Sequence, residues 1–276
     1  MRRLLLPLVL GLVVAGCGGP EHLAVVGNAP GSLGTGDQRL TVAYRAETGE
    51  DLGAPDLPAT LEVARADGEP QVVDTEFVWM TEGVRGLYVA YVDLDAPGEW
   101  TATLQPEGRN PTRPTPFFVD ESPLTPEVGD AVPTTASETL DDVDGDLTLL
   151  TTDPDPDPAL YELSVGTAVS NGTPAVVAFA TPRFCVTATC GPMLDQVKAL
   201  RDEVGDVGVD WVHVEVYELE DVDPSNLQVV PAADDWGLPS EPWVFVVDAD
   251  GRVTHRFEGV VSDTELATAL AEVTGS

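Results

Sequence analysis

Hydrophobic and polar positions alternate in two different ways along this chain, and the pattern changes near residue 159. Between residues 39 and 120 the apolar residues form short runs, several of them alternating, separated by glycine, proline and aspartate. Such runs are typical of β-strands joined by tight turns. We predict strands at 40–44, 60–64, 72–78, 87–92, 100–104 and 117–119. About 80 residues suffice for one β-sandwich, so 39–120 is predicted to be a single all-β domain.

From residue 159 the runs become longer and helical periods appear between them. We predict a helix over 159–169, a buried strand at 175–180, a helix over 191–204 and a strand at 210–217, then a loop with one helical turn over 222–236. Strands at 243–247 and 253–257 are joined by D-A-D-G, a hairpin signal. Ser262 and Glu265 form a capping box that opens a last helix over 263–273. This order predicts an α/β domain over 159–276.

Two cysteines lie between the strand at 175–180 and the helix at 191–204. The unpaired N–H groups and the dipole at a helix N-terminus favour a thiolate, so this position suits reactive sulfur. Residues five apart on a regular helix point away from each other and lie beyond disulfide reach. Cys185 must therefore precede the helix if it is to bond Cys190. Pro192 fits the first helical turn, which leaves 185–190 as a small ring.

The first 17 residues have the pattern of a targeting segment. Arg2 and Arg3 precede an apolar stretch over 4–14 that is too short to span a bilayer comfortably. The sequence V-V-A-G-C then looks like a bacterial lipobox, in which Cys17 is lipidated; an ordinary secretory signal is the alternative. We expect a protein on the extracytoplasmic face of the bacterial cell membrane, held by acyl chains at Cys17, with 18–38 as a tether.

That location leaves one cysteine pair in an oxidising compartment, since the chain has 3 cysteines and Cys17 goes to lipid. The pair Cys185 and Cys190 is open to three interpretations: a redox-active disulfide, an inert structural disulfide, or a metal site. A ring this short removes little chain entropy and stabilises only modestly. We therefore favour the redox interpretation.

The net charge of the chain limits the kinds of partner that it can bind. Asp and Glu total 48 against 13 Lys and Arg, for a formal net charge of -35, so nothing neutralises the phosphates of a nucleic acid. The acids are spread along the chain, which favours a role in solubility. Residues 121–158 are rich in proline, threonine and aspartate and predict an acidic linker or hinge. Alternate carboxylates at 142–146 suggest calcium, but Leu147 stands where an EF-hand needs glycine, so we predict a solvated loop and no metal or cofactor.

Three features of the C-terminal half resemble thioredoxin-like proteins of the bacterial exterior. They are the cysteine loop between strand and helix, the stretch S-E-P-W-V-F-V-V-D-A-D-G at 240–251, and the terminal helix after Gly259. The resemblance implies a thioredoxin-like α/β fold with thiol–disulfide oxidoreductase activity. It also implies a cis bond between Glu241 and Pro242, facing the cysteines, with this loop binding substrate. The stretch 86–100 resembles the end of immunoglobulin-like sandwiches in exported bacterial proteins.

The chain departs from the thioredoxin pattern in its cysteine spacing. Thioredoxins have C-x2-C, whereas here the spacing is C-x4-C and Met193 occupies the place of the second cysteine after C-G-P. Counted from the strand, Cys185 takes the position of the attacking cysteine, and Cys190 would be the resolving one. Q-type peroxiredoxins and Sco-type copper carriers also use nearby cysteine pairs, but their spacings differ from this one.

Two polar residues interrupt the apolar strand at 210–217. His213 and Glu215 alternate with valines, and such groups need partners if they are buried. Adjacent parallel strands end at one edge of a sheet, which would bring Glu215 to the loop after Ala180. Glu215 is therefore our candidate for moving protons during exchange, the alternative being a half-exposed face. His255 is predicted to lie on the surface.

Three functions remain open at this point. The first is membrane-tethered thiol–disulfide exchange with extracytoplasmic protein thiols or disulfides. The second is a copper chaperone using the two cysteines with Met193 or His213, because soft ligands suit Cu(I). The third is a binding scaffold with a structural disulfide.

Overall fold

The computed structural model describes residues 22–205, 208–220 and 222–275. The predicted signal peptide over 1–17, the lipidation site at Cys17 and the first residues of the tether lie outside the described residues. Within the described ranges, no helix is both long and apolar enough to cross a membrane. The chain is mostly β-sheet with a few helices.

The N-terminal part is a β-sandwich of two four-stranded sheets, with orders β1-β2-β6-β5 and β4-β3-β7-β8. The strands are β1 (His22–Val26), β2 (Gly36–Ala46), β3 (Ala59–Ala64), β4 (Gln71–Asp74), β5 (Glu76–Thr81), β6 (Arg85–Leu94), β7 (Gly98–Pro106) and β8 (Thr115–Val119). Inward-facing residues of both sheets form one core, in which Leu40, Leu61 and Leu104 are fully buried. This burial follows from the alternation of apolar and polar residues along the strands.

Two predictions for this part are wrong. The stretch 18–38 is not a free tether, because β1 pairs antiparallel with β2 and Ala24 and Leu33 enter the sandwich core. The run 72–78 is not one strand: β4 and β5 belong to different sheets, and the chain crosses between the sheets at Thr75. The Thr75 hydroxyl donates to the carbonyl of Ala59 at this crossing.

The C-terminal part, residues 159–275, is an α/β domain built on a sheet of order β10-β9-β11-β12. Its strands are β9 (Ala175–Ala180), β10 (Asp210–Glu215), β11 (Trp243–Val247) and β12 (Val253–Glu258), and its helices are α1 (Val165–Ala168), α2 (Cys190–Val204), α3 (Pro231–Asp235) and α4 (Asp263–Thr274). Strand β9 pairs parallel with β10 and antiparallel with β11. All six residues of β9 are buried, because apolar clusters cover both faces of the sheet.

Most predicted elements of this domain are present, including the β11–β12 hairpin and the capping box of Ser262 and Glu265. The predicted helix over 159–169 is wrong in one respect. A 3-10 turn at Pro158–Tyr161 is followed by the separate α1, because the Ser164 side chain caps a new helix by accepting from the Thr167 N–H. Helix α2 begins one residue earlier than predicted, at Cys190.

The stretch 121–158 is not a free hinge, because it packs against the α/β domain. Gly129 N–H donates to the carbonyl of Val253, and Val253 N–H donates to that of Asp130, so the stretch covers the outer edge of β12. Farther on, the carbonyl of Thr134 lies so close to Gly166 that a Cβ there would be 2.2 Å from the oxygen. Only glycine permits this approach without a shift of the backbone.

Two carboxylates of the acidic segment 142–146 accept hydrogen bonds from neighbouring residues of the same stretch. Asp142 accepts from the backbone N–H and the hydroxyl of Thr139, and Asp146 does the same for Thr148. These hydrogen bonds hold the pKa of both carboxyls below the ordinary value. The carboxylates therefore serve as turn caps.

Buried polar groups join the sandwich to the α/β domain. Arg39 of β2 pairs with Glu265 of α4 at 2.7 Å, and both side chains are less than 10% exposed. Glu258, at the end of β12, accepts from the N–H of Ala29 and from the hydroxyl of Ser32, each at 2.8 Å. A desolvated network of this kind holds two domains in one orientation.

Candidate redox site

The two cysteines lie side by side at the end of the central strand. After β9 the chain turns at Thr181, whose carbonyl accepts from the N–H of Phe184 and Cys185. Cys190 is the first residue of α2 and is fully buried, whereas Cys185 is partly exposed. Both are free thiols, and the Cys190 thiol is within hydrogen-bonding reach of the Cys185 sulfur. The prediction that Cys185 precedes the helix is confirmed.

The surroundings of Cys185 stabilise a thiolate. A hydrogen bond from the Cys190 thiol lowers its pKa most, and partial burial works against this. The Thr187 hydroxyl, 3.2 Å from the sulfur, and the backbone N–H groups of Cys190 and Thr189 lower it further, to about 4. Thr189 is the N-cap of α2 but makes no side-chain capping bond. The first amides of the helix therefore serve the sulfur.

Cys190 has the opposite character. Its hydrogen bond to Cys185 and its burial both raise its pKa above the ordinary value. One sulfur is thus an accessible anion and its neighbour a buried, protonated thiol. Because the thiolate is the nucleophile in thiol–disulfide exchange, Cys185 is the sulfur of the two that has the character attack requires, and its role stays a prediction.

The loop between α3 and β11 supplies the other side of the site. The peptide bond between Glu241 and Pro242 is cis, as predicted. Burial raises the pKa of Glu241, and the negative charge of Cys185 raises it further, while a hydrogen bond from the Tyr217 hydroxyl at 3.3 Å opposes both. Glu241 also raises the pKa of Cys190. This carboxyl is therefore within electrostatic range of both sulfurs.

Glu215 occupies the strand edge next to the cysteine loop. It lies opposite Ala180 in the sheet and is only 5% exposed. Its Oε2 accepts from the backbone N–H and the hydroxyl of Thr152 at 2.8 and 2.9 Å, and the same hydroxyl accepts from the N–H of Arg183. Burial raises the pKa of Glu215 to about 7, although the nearby Thr181 side chain and the hydrogen bonds from Thr152 act to lower it. The approach to the loop after Ala180 is as predicted, and the catalytic role stays a prediction.

The two histidines singled out in the sequence have separate environments. His213 is 3% exposed, its Nδ1 is 2.7 Å from the Tyr161 hydroxyl and its Nε2 is 3.1 Å from the carbonyl of Ala180. Burial lowers the pKa of His213 to about 4, so the ring is neutral at neutral pH. His255 is half-buried and faces Glu272 at 3.3 Å.

The side chains predicted as copper ligands have different environments. Both ring nitrogens of His213 already have partners, and Met193 packs in the core between α2 and the sheet. In the ranges that the structure describes, no group of three or more His, Cys, Asp and Glu side chains is placed to hold a metal ion. Of the soft ligands that the sequence offers for Cu(I), the two cysteines lie together and Met193 packs in the same apolar cluster, whereas His213 is held by other partners.

Aromatic and apolar side chains form the rim of the site, and sequence reasoning did not single most of them out. Phe184 stands edge-on to Tyr217, with ring centroids 6.4 Å apart, and the guanidinium of Arg183 lies over Phe184 at 5.3 Å. Val186, between the cysteines, is 93% exposed. Phe184 and Val186 precede and follow Cys185 in the chain, so these side chains lie beside the partly exposed sulfur.

No protein-family model and no curated protein matches this chain. Among solved structures, a thioredoxin-family thiol:disulfide interchange protein from Chlorobium tepidum TLS is similar at 14% identity and a TM-score of 0.35, covering 54% of this chain and 99% of its own. The Lin-41 filamin domain covers 37% of this chain and 95% of its own, at 16% identity and a TM-score of 0.25. The adhesin FdeC of Escherichia coli covers 37% of this chain and 32% of its own, at 19% and 0.24. These likenesses are partial, so the chemistry is argued from the site.

Proposed function

We propose that this protein is a membrane-anchored, extracytoplasmic, thioredoxin-like thiol–disulfide oxidoreductase acting through Cys185 and Cys190. The observation that carries the proposal is the contrast between the two sulfurs, one partly exposed and stabilised as a thiolate, the other buried and protonated. An inert structural pair has no need of such a contrast. The partners would be thiols or disulfides of other extracytoplasmic proteins.

The reaction follows from this arrangement. The Cys185 thiolate attacks a partner disulfide, forms a mixed disulfide and releases one partner sulfur as a thiolate. Cys190 then loses its proton and attacks the Cys185 sulfur, which forms the Cys185–Cys190 disulfide and releases the second partner sulfur. Two electrons pass from the pair to the partner, whose disulfide becomes two thiols. The reverse sequence oxidises a dithiol partner.

The second step needs a proton acceptor, because Cys190 is buried and its pKa is raised. We propose Glu215 for this role, because its pKa lies near neutral pH. Its carboxyl is beside Thr181, and the carbonyl of Thr181 accepts from the N–H of Cys185 at the start of the cysteine loop. Glu241 is the other carboxyl in electrostatic range of Cys190. We further propose that the backbone of Glu241 and Pro242 holds the partner chain beside Cys185.

Trapping of the mixed disulfide tests which cysteine attacks the partner and which one resolves the intermediate. With reduced protein and a disulfide-bearing substrate, Cys190→Ser should accumulate a mixed disulfide through Cys185, and Cys185→Ser should not. Accumulation in Cys185→Ser alone would reverse the roles. Trapping in neither variant, with folding stability unchanged in both, would instead favour a scaffold. A reduction potential far below that of the glutathione pool would mark the disulfide as structural.

The membrane location is tested separately through Cys17. Wild-type protein should partition into the detergent phase after Triton X-114 separation, and Cys17→Ala should remain in the aqueous phase, since acyl chains are the proposed anchor. Cys185→Ser serves as the matched control, because it removes a cysteine elsewhere. Equal partitioning of wild type and Cys17→Ala would contradict lipidation.

A further inference from the structure

The β-sandwich touches the loop that carries the cysteines. Arg85, the first residue of β6, donates a hydrogen bond from its guanidinium to the carbonyl of Thr187, midway between Cys185 and Cys190. In the part of the chain that the structure describes, no carboxylate lies within ion-pairing distance of Arg85. The contact therefore joins this side chain to the cysteine loop across 102 positions of sequence.

The bonded residue is the one whose side chain reaches the reactive sulfur. The Thr187 hydroxyl is 3.2 Å from Cys185 Sγ and 2.6 Å from the Thr189 hydroxyl. The next residue, Ala188, has a left-handed backbone with φ of 56°. A non-glycine residue in that region costs about 1 kcal/mol, so surrounding contacts must hold the loop in this form. Residues 186–188 are exposed, and within the loop the Ala188 N–H donates to the carbonyl of Cys185.

A second set of contacts joins the sandwich to the opposite side of the site. Glu258 accepts from Ala29 and Ser32 of the sandwich and also from the hydroxyl of Ser240, two residues before Pro242. The N–H of Gly259 donates to the carbonyl of Pro242. The sandwich thus reaches both of the loops that flank Cys185, and the buried pair of Arg39 and Glu265 fixes its orientation.

We propose that Arg85 is a positioning residue of the redox site and that the β-sandwich is thereby part of that site. The guanidinium holds the 185–190 loop in the form in which the Thr187 hydroxyl and the first amides of α2 face the Cys185 sulfur. This inference rests on the proposed function, since it concerns the thiolate on which exchange depends. It assigns the sandwich a role in the chemistry beyond that of a spacer.

Loss of the Arg85 contact should release the loop and withdraw the Thr187 hydroxyl from the sulfur. In reduced Arg85→Ala, thiolate absorbance at 240 nm should titrate about one pH unit above wild type. The equilibrium constant with glutathione should move about tenfold toward the disulfide, because the thiolate form is less stabilised. Arg85→Lys should fall between the two, since an ammonium can still donate to the carbonyl.

Arg113→Ala is the matched control, because Arg113 is an exposed sandwich arginine that pairs with Glu47 within the same domain. It should titrate like wild type. Unchanged titration and equilibrium in Arg85→Ala would overturn the proposal, whether or not its melting temperature falls, and would leave a purely structural contact. If Arg85→Ala does not fold, Arg85→Met, which keeps an apolar stem but has no donor, decides between the same outcomes.

The wild-type titration separates this inference from the proposed function. If the wild-type sulfurs titrate near an ordinary cysteine, the activated thiolate is absent and both proposals fall. If wild type shows the activated thiolate and Arg85→Ala matches it, only the role of Arg85 falls. If wild type shows the activated thiolate, and the thiolate titration shifts in Arg85→Ala but not in Arg113→Ala, both proposals are supported.

Discussion

Cys185 and Cys190 differ in acidity first because the Cys190 thiol donates to the Cys185 sulfur, which lowers the pKa of Cys185 and raises that of Cys190. Their positions at the helix start add to this difference. Cys190 enters α2 and is buried by the packing of that helix on the sheet, so water cannot solvate its charge. Cys185 stays in the turn, where the first amides of α2 point at its sulfur. The wider C-x4-C spacing thus keeps the relation between a thiolate and a helix N-terminus. It adds the Thr187 hydroxyl, which contacts the sulfur from within the loop.

Glu215 is a second group whose ionisation depends on its place in the fold. Burial raises its pKa from 4.5 to about 7. Below about pH 4.5 the carboxyl is protonated in both states, and between about 4.5 and 7 only the unfolded chain releases the proton. The free energy of unfolding therefore falls through this window, by about 3 kcal/mol from this residue, and the loss is complete above pH 7.

Glu215→Gln should remove that slope, because a glutamine side chain does not titrate but can still accept from Thr152. We expect urea unfolding to show the variant gaining about 3 kcal/mol relative to wild type between about pH 4.5 and 7.5. Glu218→Gln makes the same chemical change at an exposed position and should leave the wild-type slope intact. Parallel curves for Glu215→Gln and wild type would show that the carboxyl is not held protonated.

At the scale of elements, one residue of α4, Glu265, serves both the N-terminus of the helix and the interface with the sandwich. Glu265 accepts from the Ser262 N–H, which completes the capping box, and it pairs with Arg39 of β2. Burial works against its charge, but the hydrogen bond and the charge of Arg39 outweigh burial and keep the pKa of Glu265 below the ordinary value. The start of the helix and the domain interface therefore depend on the same carboxylate.

Substitutions at the two ends of the capping box should separate these roles. Ser262→Ala loses only a cap and should lower the free energy of unfolding by about 1 kcal/mol. Glu265→Ala also leaves the guanidinium of Arg39 buried without its partner and should cost about 3–5 kcal/mol. Denaturant titration of both variants measures the difference. Equal losses would mean that the ion pair contributes nothing beyond the cap.

The sequence predicts these elements well where one local signal defines them. The buried run of β9, the capping box of α4 and the hairpin before β12 each depend on residues close in the chain. The run 72–78 was misjudged because β-propensity does not show which sheet a strand joins. The helix over 159–169 was misjudged because Ser164 restarts the helix, and a capping side chain inside an apolar period looks like an ordinary helical residue.

In the redox site, too, only the features defined by residues close in the chain could be predicted. The pair of cysteines, their place at the start of a helix and the loop at Pro242 follow from order along the chain. The contacts of Glu241, Thr187 and Arg85 do not, because they join segments far apart in sequence whose spacing carries no period. Nothing in the residues around Arg85 distinguishes it from an exposed arginine in a turn.

At the scale of the whole molecule, the stretch 121–158 and the interface bind the sandwich and the α/β domain into one body. Composition alone suggested a hinge, since proline and aspartate disfavour helices and cores. In the structure Val132 and Leu150 of this stretch enter the two apolar clusters of the α/β domain, and Lys198 pairs with Asp153 at 2.8 Å. An extended segment can be ordered by such contacts with little regular secondary structure, here the 3-10 turn at Leu147–Leu149.

This joining predicts a single unfolding transition for the native protein. Glu258 is the centre of the interface, because one buried carboxylate accepts from Asn28, Ala29, Ser32 and Ser240. Glu258→Ala would remove this acceptor. Asn28 and Ser32 can still donate to the carbonyls of Arg39 and Ala29, but the Ala29 N–H and the Ser240 hydroxyl would lose their acceptor in a desolvated contact, where each unmade hydrogen bond costs about 1–3 kcal/mol. The substitution should therefore weaken the contact between the two domains more than it weakens the core of either domain.

Calorimetry should therefore show one heat-absorption peak for wild type and two for Glu258→Ala, one for the sandwich and one for the α/β domain. Glu99→Ala, an exposed glutamate on β7, should keep the single peak. Two peaks in wild type would mean that the interface does not couple the domains. One peak in Glu258→Ala, shifted only in temperature, would mean that the other contacts between the domains, such as the buried pair of Arg39 and Glu265, couple them without Glu258.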